Sequence, residues 1–401
     1  MKKIIENLRF IRLKDIWAIF QFIFAIIPAI ILKCIKKNIW LICEDENEAR
    51  DNGYVFFKYM CERKDENINV VYAINKKSQD YLKVKDTGKC IQYGGYIHWI
   101  YYLAAKYNIS SQKGGKPNAP VCYLLEVYGI LKNKRIFLQH GITISDAKWL
   151  YYENTKMRLF VCGAQKEYEY VKEKFGYPEE NVKCLGFCRF DKLHNVEINK
   201  KRILVMPSWR EWLNRKTDAY YELQYDGKFE NSKYYKNWNS FLNNEELKEF
   251  LEKNDLELIF YPHRNVQNNL SYFTSKSPNI KIASWKEYDI QELLKNSALM
   301  ITDYSSVAMD FLYMKKPVIY YTFDIDDFRK GQYAKGYFDY ENNNMTYFSR
   351  KESEIVKQIK DSYKANFEIN IEMKEKIDNF FGICDENNCK RTFEAIKEIG
   401  G

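Results

Sequence analysis

Apolar positions along this chain fall into short runs separated by polar, helix-periodic stretches. The longest run comes first. Residues 16–32 read IWAIFQFIFAIIPAIIL, interrupted only by Gln21 and Pro28. A spanning helix wants about 20 apolar residues, and this run falls short of that. Lys2, Lys3, Arg9, Arg12 and Lys14 precede it, and Lys33, Lys36 and Lys37 follow it. Basic residues on both sides suit a segment lying against an anionic leaflet; a buried core helix and a true span are the alternatives. Pro28 would kink a helix of any of these kinds. No small-x-small cleavage site follows, which argues against a secretory signal.

From residue 39 the pattern alternates. IWLIC (39–43) predicts a strand, Asn52-Gly53 a turn, 54–61 a helical run and NVVYAI (69–74) the next strand. A helix is expected over 98–106. Strands follow at 134–139 and 158–163, then a helix over 164–175 stopped by Gly176-Tyr177-Pro178, then a strand at 181–185. A second series begins with KRILVMP (201–207). Residues 209–239 are polar and aromatic and read as an insertion or mobile loop. Beyond them come a helix (245–254), strands (256–262, 280–283, 298–302), a helix (306–314) and a strand (317–321). The tail 353–398 is helical with a break near Gly382. Strand–helix alternation predicts two α/β domains with mainly parallel sheets, dividing near residue 195. The expected organisation is a membrane-associating segment (1–37), a first lobe (38–195), a second lobe (196–370) and C-terminal helices (371–401) that could return to the first lobe.

Composition narrows the class. With 46% apolar and 29% charged residues over 401, collagen-like, mucin-like and wholly disordered chains are excluded. The net charge of +9 suits an anionic ligand, an anionic membrane face or a nucleic acid equally. With no RRM, zinc finger or Gly-rich basic tail, nucleic acid is not expected. The ten cysteines include no CxxC, and the four histidines are too scattered to close a zinc site with them, so free thiols and no metal are expected.

Candidate chemistry sits where strands end. In ITDYSSVAMDFLYMKKPVIYY (301–321), Asp303, Tyr304, Ser305 and Ser306 lie between a strand and a helix. The carboxyl end of a strand is where open α/β sheets bind ligands, and a helix start attracts phosphate. Simple capping by Asp303 or Ser305 explains the same residues. YPHRN puts His263 and Arg264 after a strand, as a diphosphate clamp or an ordinary surface pair. His140, after KRIFLQ and before Gly141, suits removal of a proton from a hydroxyl, with Asp146 a potential assistant, or is a strand-end histidine with one backbone bond. MPSWR offers Arg210 for phosphate charge and Trp209 for a pocket or the core. GQYAKGYFDY (331–340) could close over a base or polyol, or be an ordinary loop. There is no Walker A, GxGxxG or GxSxG motif.

Taken together these residues closely resemble the CDP-glycerol glycerophosphotransferase family of teichoic acid and related polyol-phosphate polymer biosynthesis. ITDYSSVAMDFLYMKKPVIYYTFDIDDF with the later KGYFDY carries the resemblance most specifically. LQHGI, MPSWR, YPHRN and IWLICEDENEARDNGYVFFKYM match further family segments, so the likeness runs from about residue 39 to 340. It implies two Rossmann-like lobes in a GT-B architecture, with acceptor and base on the first lobe and a CDP-polyol donor on the second. Polyol phosphate, from CDP-glycerol or CDP-ribitol, would pass to a hydroxyl of a lipid-linked, polyol-phosphate or glycan acceptor, with CMP leaving. His140 would be the general base and His263 would hold the donor diphosphate, helped by Arg264. Ser305 and Ser306 would bind phosphate, Asp303 would orient its loop or touch the polyol, and Arg210 would face phosphate charge. No cofactor or metal is implied, and the cytoplasmic face of a bacterial membrane is the expected site. A homo-oligomer stays open. Two departures stand out: the family's usual Trp-His-Gly-Thr-Pro is Gln139-His140-Gly141-Ile142-Thr143, and the chain is shorter than the long polymerases. A nucleotide-sugar glycosyltransferase of the same fold and a non-catalytic membrane-associated binding protein are the competing classes.

Overall fold

The computed structural model describes residues 13–132, 134–216, 221–223 and 229–399. Lys2, Lys3, Arg9 and Arg12 of the N-terminal basic cluster lie outside them, as does part of the 209–239 stretch. The chain divides into two compact units. One comprises the chain up to Ile142, Lys148–Lys192 and the end from Asp385; the other comprises Thr143–Ala147 and Leu193–Cys384.

The first unit is a seven-stranded, all-parallel sheet: β1 (Ile39–Cys43), β2 (Asn69–Ile74), β3 (Cys90–Gln92), β4 (Tyr107–Ser110), β5 (Arg135–Phe137), β6 (Leu159–Cys162) and β7 (Val182–Cys184). Its order is β3-β2-β1-β4-β5-β6-β7, so the winding reverses between β1 and β4. Its helices are α1 (Leu13–Ile35), α2 (Asn52–Arg63), α3 (Tyr81–Thr87), α4 (Tyr96–Ala104), α5 (Ala119–Val127), α6 (Tyr152–Thr155) and α7 (Gln165–Lys174). Every residue of β1 is buried, as expected of a strand covered on both faces. Trp40 of β1 packs on Phe56 of α2 and on Tyr107 of β4.

The second unit has a six-stranded parallel sheet ordered β12-β11-β8-β13-β14-β15. Its strands are β8 (Asn199–Met206), β11 (Glu257–Phe260), β12 (Ile280–Ile282), β13 (Ser297–Thr302), β14 (Val318–Tyr321) and β15 (Tyr347–Ser349), with a separate hairpin of β9 (Asn214–Lys216) and β10 (Tyr221–Leu223). Here the winding reverses between β8 and β13. The helices are α8 (Lys233–Leu242), α9 (Glu245–Lys253), α10 (Ile290–Asn296), α11 (Ala308–Tyr313), α12 (Ile325–Gly331), α13 (Glu352–Lys364) and α14 (Ile371–Phe381). A last helix, α15 (Asn388–Glu398), belongs to the first unit. Asp191 accepts from the backbone N–H groups of Asn388 and Cys389 at its start, and Phe393 packs on Trp40.

Several elements differ from the sequence pattern. Residues 209–239 are not simply a loop. They contain the hairpin and most of α8, which Ser232 caps by accepting from the Tyr235 N–H. Tyr234, Trp238, Phe241 and Leu242 are buried at helical spacing, an aromatic stripe that a polar-looking composition conceals. Asn52-Gly53 opens α2 instead of making a turn, because Asp51 caps it and Gly53 lies against Glu44, whose Cγ would be 2.8 Å from an added Cβ. The tail breaks twice, at Gly382 with φ +72° and earlier at Asn366 and Phe367, both at positive φ. All ten cysteines are free.

The apolar run forms one continuous helix, α1, despite Pro28. Proline has no N–H, so the Phe24 carbonyl four residues earlier loses its helical donor. The Tyr96 hydroxyl of α4 donates to that carbonyl at 2.9 Å. Tyr96→Phe removes this donor. We expect it to lower stability by about 1 kcal/mol, read as a lower denaturation midpoint.

Candidate functional site

In the second unit, loops from three neighbouring strands meet at the winding reversal, where an open sheet binds ligands. β8 runs into Pro207-Ser208-Trp209-Arg210, β13 into Asp303-Tyr304-Ser305-Ser306, and β11 into His263-Arg264. They are stitched together. Asp303 accepts from the Ser208 N–H at 2.7 Å and the Tyr304 N–H at 2.6 Å. The His263 N–H donates to the Pro207 carbonyl at 2.9 Å, and the Trp209 and His263 rings stack at 6.1 Å.

His263 is half-buried at the start of a 3-10 segment, Arg264–Tyr272. Its Nδ1 accepts from the Asn265 N–H at 3.2 Å. That bond puts the proton of a neutral ring on Nε2, which can donate to an anionic oxygen. Arg264 beside it is exposed. Ser305 and Ser306 are half-buried. They lie not in the helix but in the turn before it: α11 starts at Ala308, whose N–H and that of Met309 donate to their carbonyls. The predicted helix start at 306 is corrected accordingly.

Arg210 does not stand where the sequence suggested, facing a phosphate. Its side chain is fully enclosed. Nε and Nη2 form a fork onto Asp324 at 2.8 and 2.9 Å. Nη1 lies 2.9 Å from Asp303 Oδ2 and donates to Ser208 Oγ and the Trp209 carbonyl. Burial opposes its charge, but Asp303 and Asp324 outweigh that and raise its pKa further. The physical reason for the correction is donor count: these partners occupy the guanidinium. Asp303 is likewise turned inward and holds the loop. Asp324 was not singled out from the sequence, although its place just after β14 in TFDIDDF was a usable signal.

The GQYAKGYFDY segment supports these loops from behind. Phe338 and Tyr340 are buried, and the Tyr340 hydroxyl donates to the Tyr304 carbonyl. Ser145 pairs with Lys335, and a Cβ on Gly336 would come within 2.4 Å of the Ile144 carbonyl. Asp146 therefore sits in the stretch Thr143–Ala147 of this second unit, its N–H donating to Ala334.

In the first unit, His140 follows β5, beside the loop that leaves β4. Its ring donates to the Ser111 backbone carbonyl. The surrounding protein, and then the Arg189 guanidinium, hold its pKa below the ordinary imidazole value, while the Ser111 bond acts in the opposite direction. Solvent still reaches the ring. One nitrogen is thus held by Ser111, and the other can accept a proton.

The residue before it is strained. Gln139 is buried with φ +57°. Its Nε2 donates to the Val161 carbonyl at 2.7 Å and to Glu167 at 3.0 Å, and Glu167 also accepts from the Gly163 N–H. Asn52 Nδ2 donates to the Gln139 carbonyl at 2.7 Å, and its Oδ1 accepts from the Arg189 N–H. A non-glycine residue at positive φ persists only when its surroundings over-determine it, and these bonds do so. Where the family pattern has Trp, Gln139 is a brace. At the end of β1, Glu44 accepts three N–H bonds, from Arg50, Asp51 and Tyr54. Burial and the Asp51 charge nonetheless push its carboxyl up to about 8.

The sequence profile described as CDP-Glycerol:Poly(glycerophosphate) glycerophosphotransferase matches residues 26–398. The minor teichoic acid biosynthesis protein GgaB of Bacillus subtilis is 33% identical over 369 residues, 91% of this chain. The chain belongs to the glycerophosphotransferase family. It spans 40% of the length of GgaB. A teichoic acid poly(glycerol phosphate) polymerase of Bacillus spizizenii is 25% identical, covering 72% of this chain and 74% of that one. Among solved structures, the wall teichoic acid polymerase TagF superposes with a TM-score of 0.65 at 16% identity, over 99% of this chain and 98% of the other. That likeness shows a shared fold, two α/β units with parallel sheets of the GT-B type. Among the described residues no group of three or more His, Cys, Asp or Glu side chains could hold a metal ion.

Proposed function

We propose that this protein transfers glycerol phosphate, or a related polyol phosphate, from a CDP-polyol to a hydroxyl of a lipid-linked or surface-glycan acceptor, releasing CMP. The observation that carries the reading is the braced His140: a histidine with a depressed pKa and one nitrogen held, in a chain whose family performs this transfer. One TagF structure of the same fold comes from a crystal soaked with CDPG, which supports a CDP-linked donor.

The acceptor hydroxyl attacks the phosphorus that bears the polyol. Its proton passes to the open nitrogen of His140 as the P–O bond to CMP breaks. In the second unit, His263 donates from Nε2 to the diphosphate and Arg264 adds charge. The Ser305–Ser306 turn contributes hydroxyls to phosphate oxygens. Arg210 and Asp303 are positioning residues that hold the Ser208 and Tyr304 loops in register. The first unit is the acceptor lobe, the second the donor lobe, and the protein works at the cytoplasmic face of a bacterial membrane, held there by α1.

The test is CMP release from CDP-glycerol, CDP-ribitol and common nucleotide sugars, each with and without lipid-linked acceptor. Acceptor-dependent CMP from one CDP-polyol supports the proposal. Sugar transfer with no use of CDP-polyols replaces it with a glycosyltransferase. Absence of CDP or CMP binding replaces it with a binding protein.

No metal is required in this scheme, because histidine and guanidinium groups carry the charge. Turnover after exhaustive EDTA treatment should stay within about two-fold of the untreated rate. Abolition by EDTA with recovery on magnesium would refute it.

A further inference from the structure

The first sheet reverses its winding between β1 and β4, so the ends of these strands open the crevice where such a sheet takes a ligand. His140 is one group there. The loop that leaves β4, Ser111-Gln112-Lys113-Gly114-Gly115-Lys116, is another, and the reaction as proposed gives it no task.

This loop is firmly held. Buried Arg135 of β5 donates to the carbonyls of Gly115 at 2.8 Å, Lys113 at 3.1 Å and Gln112. Cys43 Sγ, at the end of β1, donates to the Gly115 carbonyl at 3.1 Å. The Tyr93 hydroxyl, just after β3, donates to the Gly114 carbonyl and accepts from the Lys116 N–H, each at 3.1 Å.

Its two lysines are matched unequally. Lys116 is buried and paired with Glu126 of α5, which also accepts from the Tyr102 hydroxyl. Lys113 is half-buried, and among the described residues no carboxylate pairs with it. Its Nζ donates to the Trp149 carbonyl at 2.6 Å and lies 5.9 Å from the Tyr123 ring. An ammonium has three donors, so two remain. The charges that act on it, Lys116 and Arg135, share its sign; after the larger effect of burial they bring its pKa down to about 8. Glu153 of α6 acts on Tyr123 but not on Lys113. Withdrawing a cation from water beside other cations is unfavourable until an anion joins it.

A second group stands at the same strand end. Ser111 Oγ is fully buried and has no hydrogen-bond partner among the described residues, an uncommon state for a buried hydroxyl. The carbonyl of the same residue holds His140. Two residues on lies Lys113, a chain span of at most about 7 Å. The spare cation is therefore within reach of a molecule whose hydroxyl lies at His140. The candidate acceptors differ in the charge they bring to this place. A chain ending in polyol phosphate carries a phosphodiester beside its terminal unit, and a neutral glycan end does not. Phosphodiester oxygens accept strongly from an ammonium.

We propose that Lys113, with the Ser111 hydroxyl, forms a subsite for a phosphodiester of the acceptor and selects a chain that already ends in polyol phosphate over a neutral glycan end. The inference rests on the acceptor half of the proposed function and adds the charge of that substrate.

The test titrates the full chain by calorimetry, without donor, with a short synthetic poly(glycerol phosphate) and with a neutral oligoglycerol of equal length. Far-UV circular dichroism checks that each variant is folded. The charged oligomer should bind about ten-fold more tightly or better, the usual worth of a hydrogen bond to a charged group. Lys113→Gln should erase that margin, and Lys113→Arg should keep most of it. Ser111→Ala should weaken binding of the charged oligomer without lowering the melting temperature, because the free hydroxyl has no bond to lose. In turnover, Lys113→Gln should raise the KM for the charged acceptor about ten-fold while the KM for the CDP-polyol holds. Equal binding of the two oligomers, or a Lys113→Gln protein with the parent's affinity, would overturn the subsite. Inorganic phosphate that binds as tightly as the oligomer would assign the loop to a free anion, and displacement of the oligomer by CDP would assign it to the donor; either result overturns an acceptor subsite. Lys113-dependent binding of the charged oligomer, with no CMP from any CDP-polyol, would leave the phosphodiester site standing and remove the transferase reading alone.

Discussion

His140→Ala should lower the rate of CMP release by about 10²–10⁴-fold, the usual contribution of a general base. Donor affinity should change little, because the donor contacts proposed here lie on the other unit. The pH profile of the parent carries the same signature. A base works only when deprotonated, so the rate rises with pH through the His140 pKa and then levels. Surrounding protein and Arg189 place that pKa below the usual imidazole value. The acid limb should therefore fall below about pH 6.5, with a plateau already reached near neutrality. A plateau beginning well above pH 7, or a His140→Ala enzyme with the parent's rate, would remove His140 from the role. Gln139→Gly separates the base from its brace. It relieves the positive φ but cuts the bonds to Val161 and Glu167, and we expect kcat to fall with the limb unmoved, since His140 keeps Ser111 and Arg189.

Much of this organisation is legible in the chain. Runs such as IWLIC and SALMIT are buried on both faces, so they stay apolar without alternation and stand out between polar helices. The candidate loops are legible for a related reason: they follow such strands, and HG, PSWR, HRN and DYSS are visible as polar punctuation. What is hidden is hidden by length or by chemistry. β4 has only four residues, Tyr-Asn-Ile-Ser, and α5 opens with Asn118-Ala119-Pro120, which reads as a loop until Asn118 is seen to cap it. Asn52 looks like half of a turn, because nothing local says that its amide will reach the Gln139 carbonyl, 87 residues away. Arg210 is the instructive case. A lone arginine at a strand end suggests a free cation, and only the distant Asp324, brought in after β14, shows that the charge is already matched. Sequence names the loop, but the partners that decide what an ionised group does come from other strands.

That distinction sets the second large effect. If Arg210 were a phosphate ligand, Arg210→Met would weaken donor binding and leave the melting temperature alone. The structure implies the reverse order. Removing the guanidinium leaves Asp303 and Asp324, both buried, facing an enclosed space without a counter-charge. Breaking a buried pair in this way costs about 3–5 kcal/mol. For a unit of this size that is a fall in melting temperature on the order of 10 °C. Loss of donor handling should follow from the loosened Ser208 and Tyr304 loops. The second substitution makes the argument testable apart from simple misfolding. Asp303→Asn keeps the oxygen that accepts from Ser208 and Tyr304 while deleting one of the two stranded charges. Arg210→Met/Asp303→Asn should therefore melt higher than Arg210→Met alone, although Asp303→Asn by itself destabilises the parent. Such a sign reversal requires the two side chains to be coupled through charge. Additive losses, or an Arg210→Met protein that melts with the parent, would return the guanidinium to the donor phosphates.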